Sequence, residues 1–431
     1  MVRTMRGQRS IPCWRGILLP VFLVLVACQT TKEGALSPDS NVPADVERDA
    51  QGFETDPAGF WLKGDFHVHA TGASNDTGGD SFPVDIKSVA KERGLFFVVL
   101  TDHSNSTGSD ASTRDEDPDL FNQGPEFVYW DEAAALSEPE EFLLISGNEI
   151  SPRQPEDAVG PCGHIGCIPR SLVDFDVETP FTDRPMGSVS GGAALEQAKA
   201  RNCFTIVNHP YAFAEWIVYD WSRFDYDGME VWNGGGGGYD IFDQMSYEAW
   251  RCDLLSGRQV VPIGASDNHR VFTEPPGLLL HPALGWPHTA VFSVDKTWPG
   301  ILAGLAAGQV YLAEGDSQIR IDGYDENKRR HEGAETRYLR IRGHLDSRAE
   351  EGGTLRVVHA TACSDTRPAP GVAPAIEDAI LYEEPITSGD FEVVLTVDGD
   401  VGVYTATVLT NAPTLIEGSR YAALSRAIQI R

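Results

Sequence analysis

The 431-residue chain reads as a mixed α/β protein with an all-β region at its C-terminal end. Two observations predict this. Between residues 58 and 315, short apolar runs alternate with stretches of helical periodicity, the pattern of successive parallel βα units. From residue 316 onward, alternating and β-branched runs bounded by Gly, Asp and Pro take over, the texture of a β-sandwich. A third observation bears on function. Eight imidazoles and carboxylates stand beside the apolar runs, each on the C-terminal side of its run, and six of the chain's eleven histidines are among them.

The N-terminal residues are not part of this fold. Arg3, Arg6, Arg9 and Arg15 accompany an apolar stretch at 17–27, too short for the about 20 residues of a spanning helix. It closes on Leu25-Val26-Ala27-Cys28, which resembles a bacterial lipobox. The resemblance implies a signal peptide at 1–27, lipid on Cys28, and a mature chain anchored at the cell envelope on its periplasmic or surface face. An ordinary cleaved signal or a short anchor is the alternative. Residues 28–57 are polar, with scattered Pro, Gly, Asp and Ser, and are expected to form a flexible tether. Loss of the four signal arginines takes the formal charge from −30 to −34. So acidic a chain repels nucleic acid and anionic lipid, which disfavours a nucleic-acid partner.

The first strand is expected to end in Asp65-Phe66-His67-Val68-His69. A helix over 83–93 follows, with Pro83 near its start, Gly94 just past its end, and Ile86, Val89 and Ala90 on one face. The continuously apolar run 95–100 predicts a strand covered on both faces. Similar runs lie at 141–145, 203–207, 229–232 and 260–265, and helices fit about 191–201, 243–256 and 298–307. No internal repeat is evident. In the β-region, Leu339 and Ile341 alternate with Arg340 and Arg342, further strands fit 354–359, 391–397 and 403–409, and Asp398-Gly399 signals a turn.

Of seven cysteines, Cys13 lies in the signal and Cys28 in the lipobox. Among Cys162, Cys167, Cys203, Cys252 and Cys363, a Cys162–Cys167 bridge could close a small loop around His164 in an oxidising compartment. Buried free thiols are the alternative. No paired C-x-x-C modules occur, so a zinc ribbon is disfavoured.

The eight residues are His67 and His69, His103 in Leu-Thr-Asp-His, Glu149 in Gly-Asn-Glu, His164 in Cys-Gly-His, His209 in Asn-His-Pro, and Asp267 and His269 in Ser-Asp-Asn-His. Neutral imidazole and carboxylate suit zinc, manganese or iron, and eight donors exceed the needs of one tetrahedral ion. In a parallel βα barrel the C-terminal strand ends converge on one mouth, which would gather these residues. The H-x-H and D-x-H pairs each place two side chains on one face of a strand, because the strand period is two. Asp102 could accept a proton or orient a ligand imidazole. Asn208, Glu230, Trp232, Asn233 and Arg270 could line the mouth, with Trp216, Tyr219 and Trp221 forming an aromatic cluster nearby. The run Gly234 to Gly238 could be a mobile loop over it. His288 is expected to line the pocket or to be structural, and His281, His331, His344 and His359 to be packing or surface residues. A Gly-x-Ser-x-Gly elbow is missing, which disfavours a serine hydrolase.

The ordered set from Lys63 to Gly315, together with Gly285-Trp286-Pro287-His288-Thr289, resembles the PHP (polymerase and histidinol phosphatase) superfamily. Its spacing is similar to the CehA/McbA-type metallohydrolase branch. The resemblance implies a distorted (β/α)7 TIM-like barrel, at 58–315, ahead of the β-sandwich at 316–431, and two or three divalent metal ions. It puts His67, His69, Glu149 and Asp267 on a first metal. Glu149 would bridge to a second, completed by His164 and His209, and His103 and His269 would hold a third. The family's last third-metal ligand falls in the stretch after H-x-H, where this chain has no histidine and Asp76 is the nearest carboxylate. A bridged metal pair lowers the pKa of bound water and polarises the electrophile. The implied activity is metal-dependent hydrolysis of a small-molecule phosphoester, or of a carbamate or carboxylic-type ester. A non-catalytic metal-binding surface lipoprotein and a nuclease-type phosphodiesterase are the alternatives.

Overall fold

In the computed structural model, β1 (Phe60–Val68) pairs in parallel with β2 (Phe97–Leu100), and β2 with β3 (Leu143–Ser146). On its other side β1 runs antiparallel to β9 (His288–Ser293), itself antiparallel to β10 (Val310–Ala313). A second sheet of five strands contains β4 (Asn148–Ile150), β5 (His164–Pro169), β6 (Cys203–Asn208), β7 (Gly228–Asn233) and β8 (Val261–Ala265), in that order. Here β6, β7 and β8 are parallel, while β5 opposes both β4 and β6. The expectation of uniformly parallel βα units is therefore corrected at β5 and β9. A strand buried on both faces looks the same in sequence whichever way it runs. Isolated bridges Val68–Asn268 and His103–Glu149 join the two sheets.

The structure describes residues 47–74, 77, 79–103, 125–152, 163–181, 190–212, 221–236, 240–275, 277, 281–349, 352–364, 372–410 and 420–431. The chain divides into two units, Met1–Val46 and Glu47–Arg431, and everything described belongs to the second. The signal, Cys28, Asp76, Cys162, Trp216, Tyr219, Gly237 and Gly238 lie outside the described residues.

The helices are α1 (Pro83–Glu92), α2 (Trp130–Leu136), α3 (Gly191–Ala200), α4 (Ile241–Leu255) and α5 (Trp298–Ala306). In α1, Ile86, Val89 and Ala90 are buried, as their spacing predicts. A capping box starts α4: Asp240 accepts from the Phe242 and Asp243 amides, and Asp243 accepts from that of Asp240. Beneath β1, Gly64 makes room for Phe97. A β-carbon at Gly64 would lie 2.1 Å from the Phe97 ring, which packs edge-on against Phe66 at 5.0 Å.

The C-terminal strands form two layers. β11 (Gln318–Tyr324), β12 (Tyr338–Leu345) and β15 (Gly389–Thr396) make a three-stranded sheet. β13 (Gly353–Cys363), β14 (Ile376–Ile386), β16 (Gly402–Thr410) and β17 (Arg420–Ser425) continue the first sheet through β10, with β18 (Ile428–Ile430) paired to β16. Ile319, Ile321, Leu339 and Ile341 share one core with Leu355, Val357 and Tyr404, and also with Ala290 and Tyr311 of β9 and β10. Residue 316 marks a change of sequence texture within one hydrogen-bonded and packed body.

Two further expectations are corrected. Cys167 is bonded to Cys203, not to Cys162, and a second disulfide joins Cys252 of α4 to Cys363 of β13. Their Cα separations, 5.1 and 5.8 Å, lie in the ordinary range. Cys167 and Cys203 sit on neighbouring antiparallel strands, a proximity that sequence spacing cannot show. Residues 47–57 are not free tether. Phe53 is buried against Tyr324, Asp49 pairs with Arg340, and Asp56 pairs with Arg320, Arg330 and Arg342. This short segment is polar overall, but its one aromatic residue anchors it.

Candidate metal centre

Glu149 is the centre of the site. Its buried carboxylate meets five imidazoles carried by four different segments, His67 and His69 sharing the end of β1. Oε1 lies 2.9 Å from His164 Nδ1, 3.1 Å from His67 Nε2 and 3.3 Å from His209 Nε2. Oε2 lies 3.2 Å from His103 Nδ1 and 3.5 Å from His69 Nε2. The Asn208 amide donates to Oε1 at 2.9 Å. Burial alone would raise the Glu149 carboxyl, but the His164 and His67 imidazoles hold it well below the ordinary range.

The strand directions explain how these residues meet. His67, His103 and His209 follow or end parallel strands, β1, β2 and β6. His164 instead begins β5, whose reversed direction sets it opposite Asn208 at the end of β6. The expectation that every donor lies at the C-terminal end of its strand is corrected there. Glu149 sits inside the three-residue strand β4, two residues beyond Gly147.

Asp267 completes a second side of the cluster, with Oδ1 3.3 Å from His67 Nε2 and 3.2 Å from His69 Nε2. The two Nε2 atoms are 3.1 Å apart. Donors held about 2.0–2.1 Å from a tetrahedral cation stand roughly 3.3 Å from one another. His67, His69 and Asp267 thus already have the spacing of a first coordination shell, with the Glu149 carboxylate beside the two imidazoles. Among the described residues, further triads with donor atoms within 4.8 Å are His67–Glu149–His209, His103–Glu149–His164 and His69–His103–His269. The His269 ring stacks on that of His69 at 4.0 Å. His103 therefore stands beside the Glu149–His164 pair as well as beside His269. Asp76, the carboxylate expected near His103 and His269, is outside the described residues.

The electrostatics of His69 and His164 suit metal binding. Burial, reinforced by His269 and His103, pushes His69 down to about 3. Burial outweighs the pull of Glu149 on His164 and lowers it to about 4. Both rings are neutral near pH 7, as ligands must be. At His67, burial is overcome by Asp267, Glu149 and Glu230, and its pKa is raised. His209 is likewise raised, burial being outweighed by Glu149 and Glu230. Backbone strain collects here too. His209 has φ of 27° and Asp267 of 55°, left-handed conformations that cost L-residues energy and are retained at sites that need them.

Surrounding groups orient the donors. Glu230, expected only as a mouth-lining residue, is buried and accepts from His67 Nδ1 at 3.3 Å and from the His209 backbone amide at 2.7 Å. That contact leaves the His67 Nε2 lone pair facing the cluster. Asn233 donates to Glu230 and to Asp267, at 3.2 and 3.3 Å. An acid inside the apolar run Gly-Met-Glu-Val-Trp-Asn was the available signal for Glu230, since an unpaired carboxylate is rarely buried. Asp65 is a second buried acid. It accepts from the amides of His67, Ser266 and Gly285, at 3.2, 3.0 and 2.7 Å, and so ties β1 to the segments after β8 and before β9. Burial lifts its carboxyl to about 6. Asp102 accepts from the Ala70 amide at 2.6 Å and from the Ser74 hydroxyl at 3.2 Å.

Several expected mouth residues serve elsewhere. Trp232 and Trp221 are buried in the hydrophobic core, and Trp221 packs edge-on to Tyr211 at 5.4 Å. Gly234 packs against the Ser266 and Trp286 carbonyls, so this part of the glycine run is held in place. Arg270 is half-buried. His288 is buried near the Gly285 carbonyl, at 3.3 Å, and is pushed down to about 3 by burial and Lys63. His359 stacks on Tyr404, and His344 pairs with Asp390.

No family model matches the chain, and no curated protein matches it. Among solved structures it is similar to a two-domain protein from Bacteroides vulgatus described as containing a predicted PHP-like metal-dependent phosphoesterase. Identity is 16%, the TM-score 0.42, and coverage 90% of this chain and 98% of that one. It is also similar to the lesion-specific endonuclease Q of Pyrococcus furiosus, at 15% identity and a TM-score of 0.36, over 57% of this chain and 56% of that chain. A structure of endonuclease Q bound to a duplex with an abasic lesion gives 15% identity and a TM-score of 0.34, over 57% of each chain. The chain spans just over half the length of the two endonuclease chains.

Proposed function

We propose that this protein is a metal-dependent hydrolase of the PHP type, built on a distorted (β/α)7 barrel with a β-sandwich after residue 315. The observation that carries the proposal is Glu149, a single buried carboxylate within 2.9–3.5 Å of five imidazole nitrogens. His67, His69, Asp267 and Glu149 would hold one divalent cation, and Glu149, His164 and His209 a second, with His103 and His269 beside a third position. Such ions, as Zn, Mn or Fe, would supply Lewis acidity and an activated water.

The chain's own residues fix the geometry. Asn208 orients Glu149, while Glu230 orients His67 and, through a backbone amide, His209. Asp102 would act through Ser74, which its carboxylate holds at 3.2 Å. The ordered H-x-H…D-x-H set supports the PHP reading, with the CehA/McbA type as its finer form. Two disulfides support residence in an oxidising compartment, in line with export and lipid anchoring through Cys28. The substrate class is a small phosphoester, or a carbamate or carboxylic-type ester. The test is an assay of the metal-loaded chain on aryl phosphate, cyclic phosphodiester and aryl carbamate, with Mn, Zn or Fe supplied. Turnover of at least one substrate, abolished by chelation, is expected. Metal binding without turnover across the panel would favour a non-catalytic metal-binding lipoprotein.

A further inference from the structure

We infer that Ser74 is a positioning residue that fixes the tautomer of His69. Its consequence for metal binding rests on the metal-centre reading above, but its geometry does not. Directly after the H-x-H pair the chain makes a tight turn. The Ser74 amide donates to the Ala70 carbonyl at 3.1 Å, and Gly72 at the tip takes φ of 96°, where an L side chain would be strained. The turn brings the fully buried Ser74 hydroxyl back beneath His69.

Three groups meet that oxygen. Asp102 Oδ1 is at 3.2 Å, the His103 backbone nitrogen at 3.1 Å and His69 Nδ1 at 2.9 Å. A hydroxyl has one proton to give and two lone pairs to receive with. Asp102 Oδ1 already accepts from the Ala70 amide at 2.6 Å, so it is an acceptor and takes the hydroxyl proton. The His103 N–H can only donate and takes one lone pair. The remaining lone pair faces His69 Nδ1, which must therefore carry the ring hydrogen. His69 Nε2 is left bare, 3.2 Å from Asp267 Oδ1 and 3.1 Å from His67 Nε2. Glu230 does the same for His67 through Nδ1. Both imidazoles of the H-x-H pair are thus held in the one tautomer that turns Nε2 toward a shared cation.

The test compares wild type, Ser74→Ala and Ser74→Thr as full chains. Long-range nitrogen–proton NMR of 15N-histidine-labelled, metal-free protein reads the tautomer, and chelator competition reads zinc affinity. Wild type is expected to show His69 protonated at Nδ1. Ser74→Ala should give a mixed tautomer signal and zinc binding weaker by about 10- to 100-fold, with the circular dichroism spectrum unchanged. Ser74→Thr, which keeps the hydroxyl, should restore both. A wild-type His69 protonated at Nε2, or a tautomer signal unmoved in Ser74→Ala, would overturn the inference. If no chain binds zinc but the tautomer shifts, the metal reading fails and the Ser74 lock stands.

Discussion

Glu149 would be costly to bury alone, since an ionised carboxylate taken out of water loses several kcal/mol of solvation. Without metal, a protonated His67 offsets part of that cost, its pKa being raised against burial by Asp267, Glu149 and Glu230. A folded-state pKa above the unfolded value near 6.5 adds stability that is fully present below that value and lost as pH rises through the folded pKa. Metal binding demands the opposite state, because His67 Nε2 must then be bare. We therefore expect chelator-treated protein to lose stability from this group as pH rises above 6.5, and metal affinity to rise over the same window with proton release. Thermal melts in EDTA and competition titrations across pH 6–9 check both trends. Affinity that falls with rising pH would contradict this assignment. His69 and His164, lowered to about 3 and about 4, act in the reverse sense. Their contribution is present above 6.5 and is lost as pH falls toward those values.

The strands and helices were largely visible beforehand. The helix expected at 83–93 is α1 (Pro83–Glu92), and the run at 203–207 is β6 (Cys203–Asn208), because periodicity reports burial faithfully. Direction was not visible. His164 was expected at the end of a strand and instead begins β5, since apolar runs carry no polarity. The roles of Glu230 and Ser74 are hidden in the sequence for a related reason. Each acts through a hydrogen bond to a ligand far off or across a turn, and residue type alone does not reveal that. Close approach is equally hidden. Gly64 looks unremarkable in sequence, yet it leaves room for the Phe97 ring that β1 and β2 share. Gly64→Ala should cost about 1–3 kcal/mol by overpacking, measured by denaturant melts. A change below about 0.5 kcal/mol would show that the ring can yield.

At the scale of the whole molecule, the β-region is bound to the metal-centre region by a continuous sheet, a shared core and the Cys252–Cys363 disulfide. That bridge closes a sequence separation of 111 residues, and the chain-entropy estimate for such a loop is about 4–5 kcal/mol. Cys252→Ala/Cys363→Ala should lower stability by an amount of that order in a single cooperative transition. Separate transitions for the two regions would contradict the shared-core account. The texture change at residue 316 was legible, but the pairing of β17 with β10 was not, because it joins segments more than 100 residues apart.

The proposed metal centre depends on Glu149 as a carboxylate shared between cations. Metal analysis of purified wild type and Glu149→Ala, each checked for native circular dichroism, tests this directly. At least two divalent ions per wild-type chain, falling to one or none in Glu149→Ala, is the predicted result. Fewer than two ions in wild type, or an unchanged count in the folded variant, would contradict it.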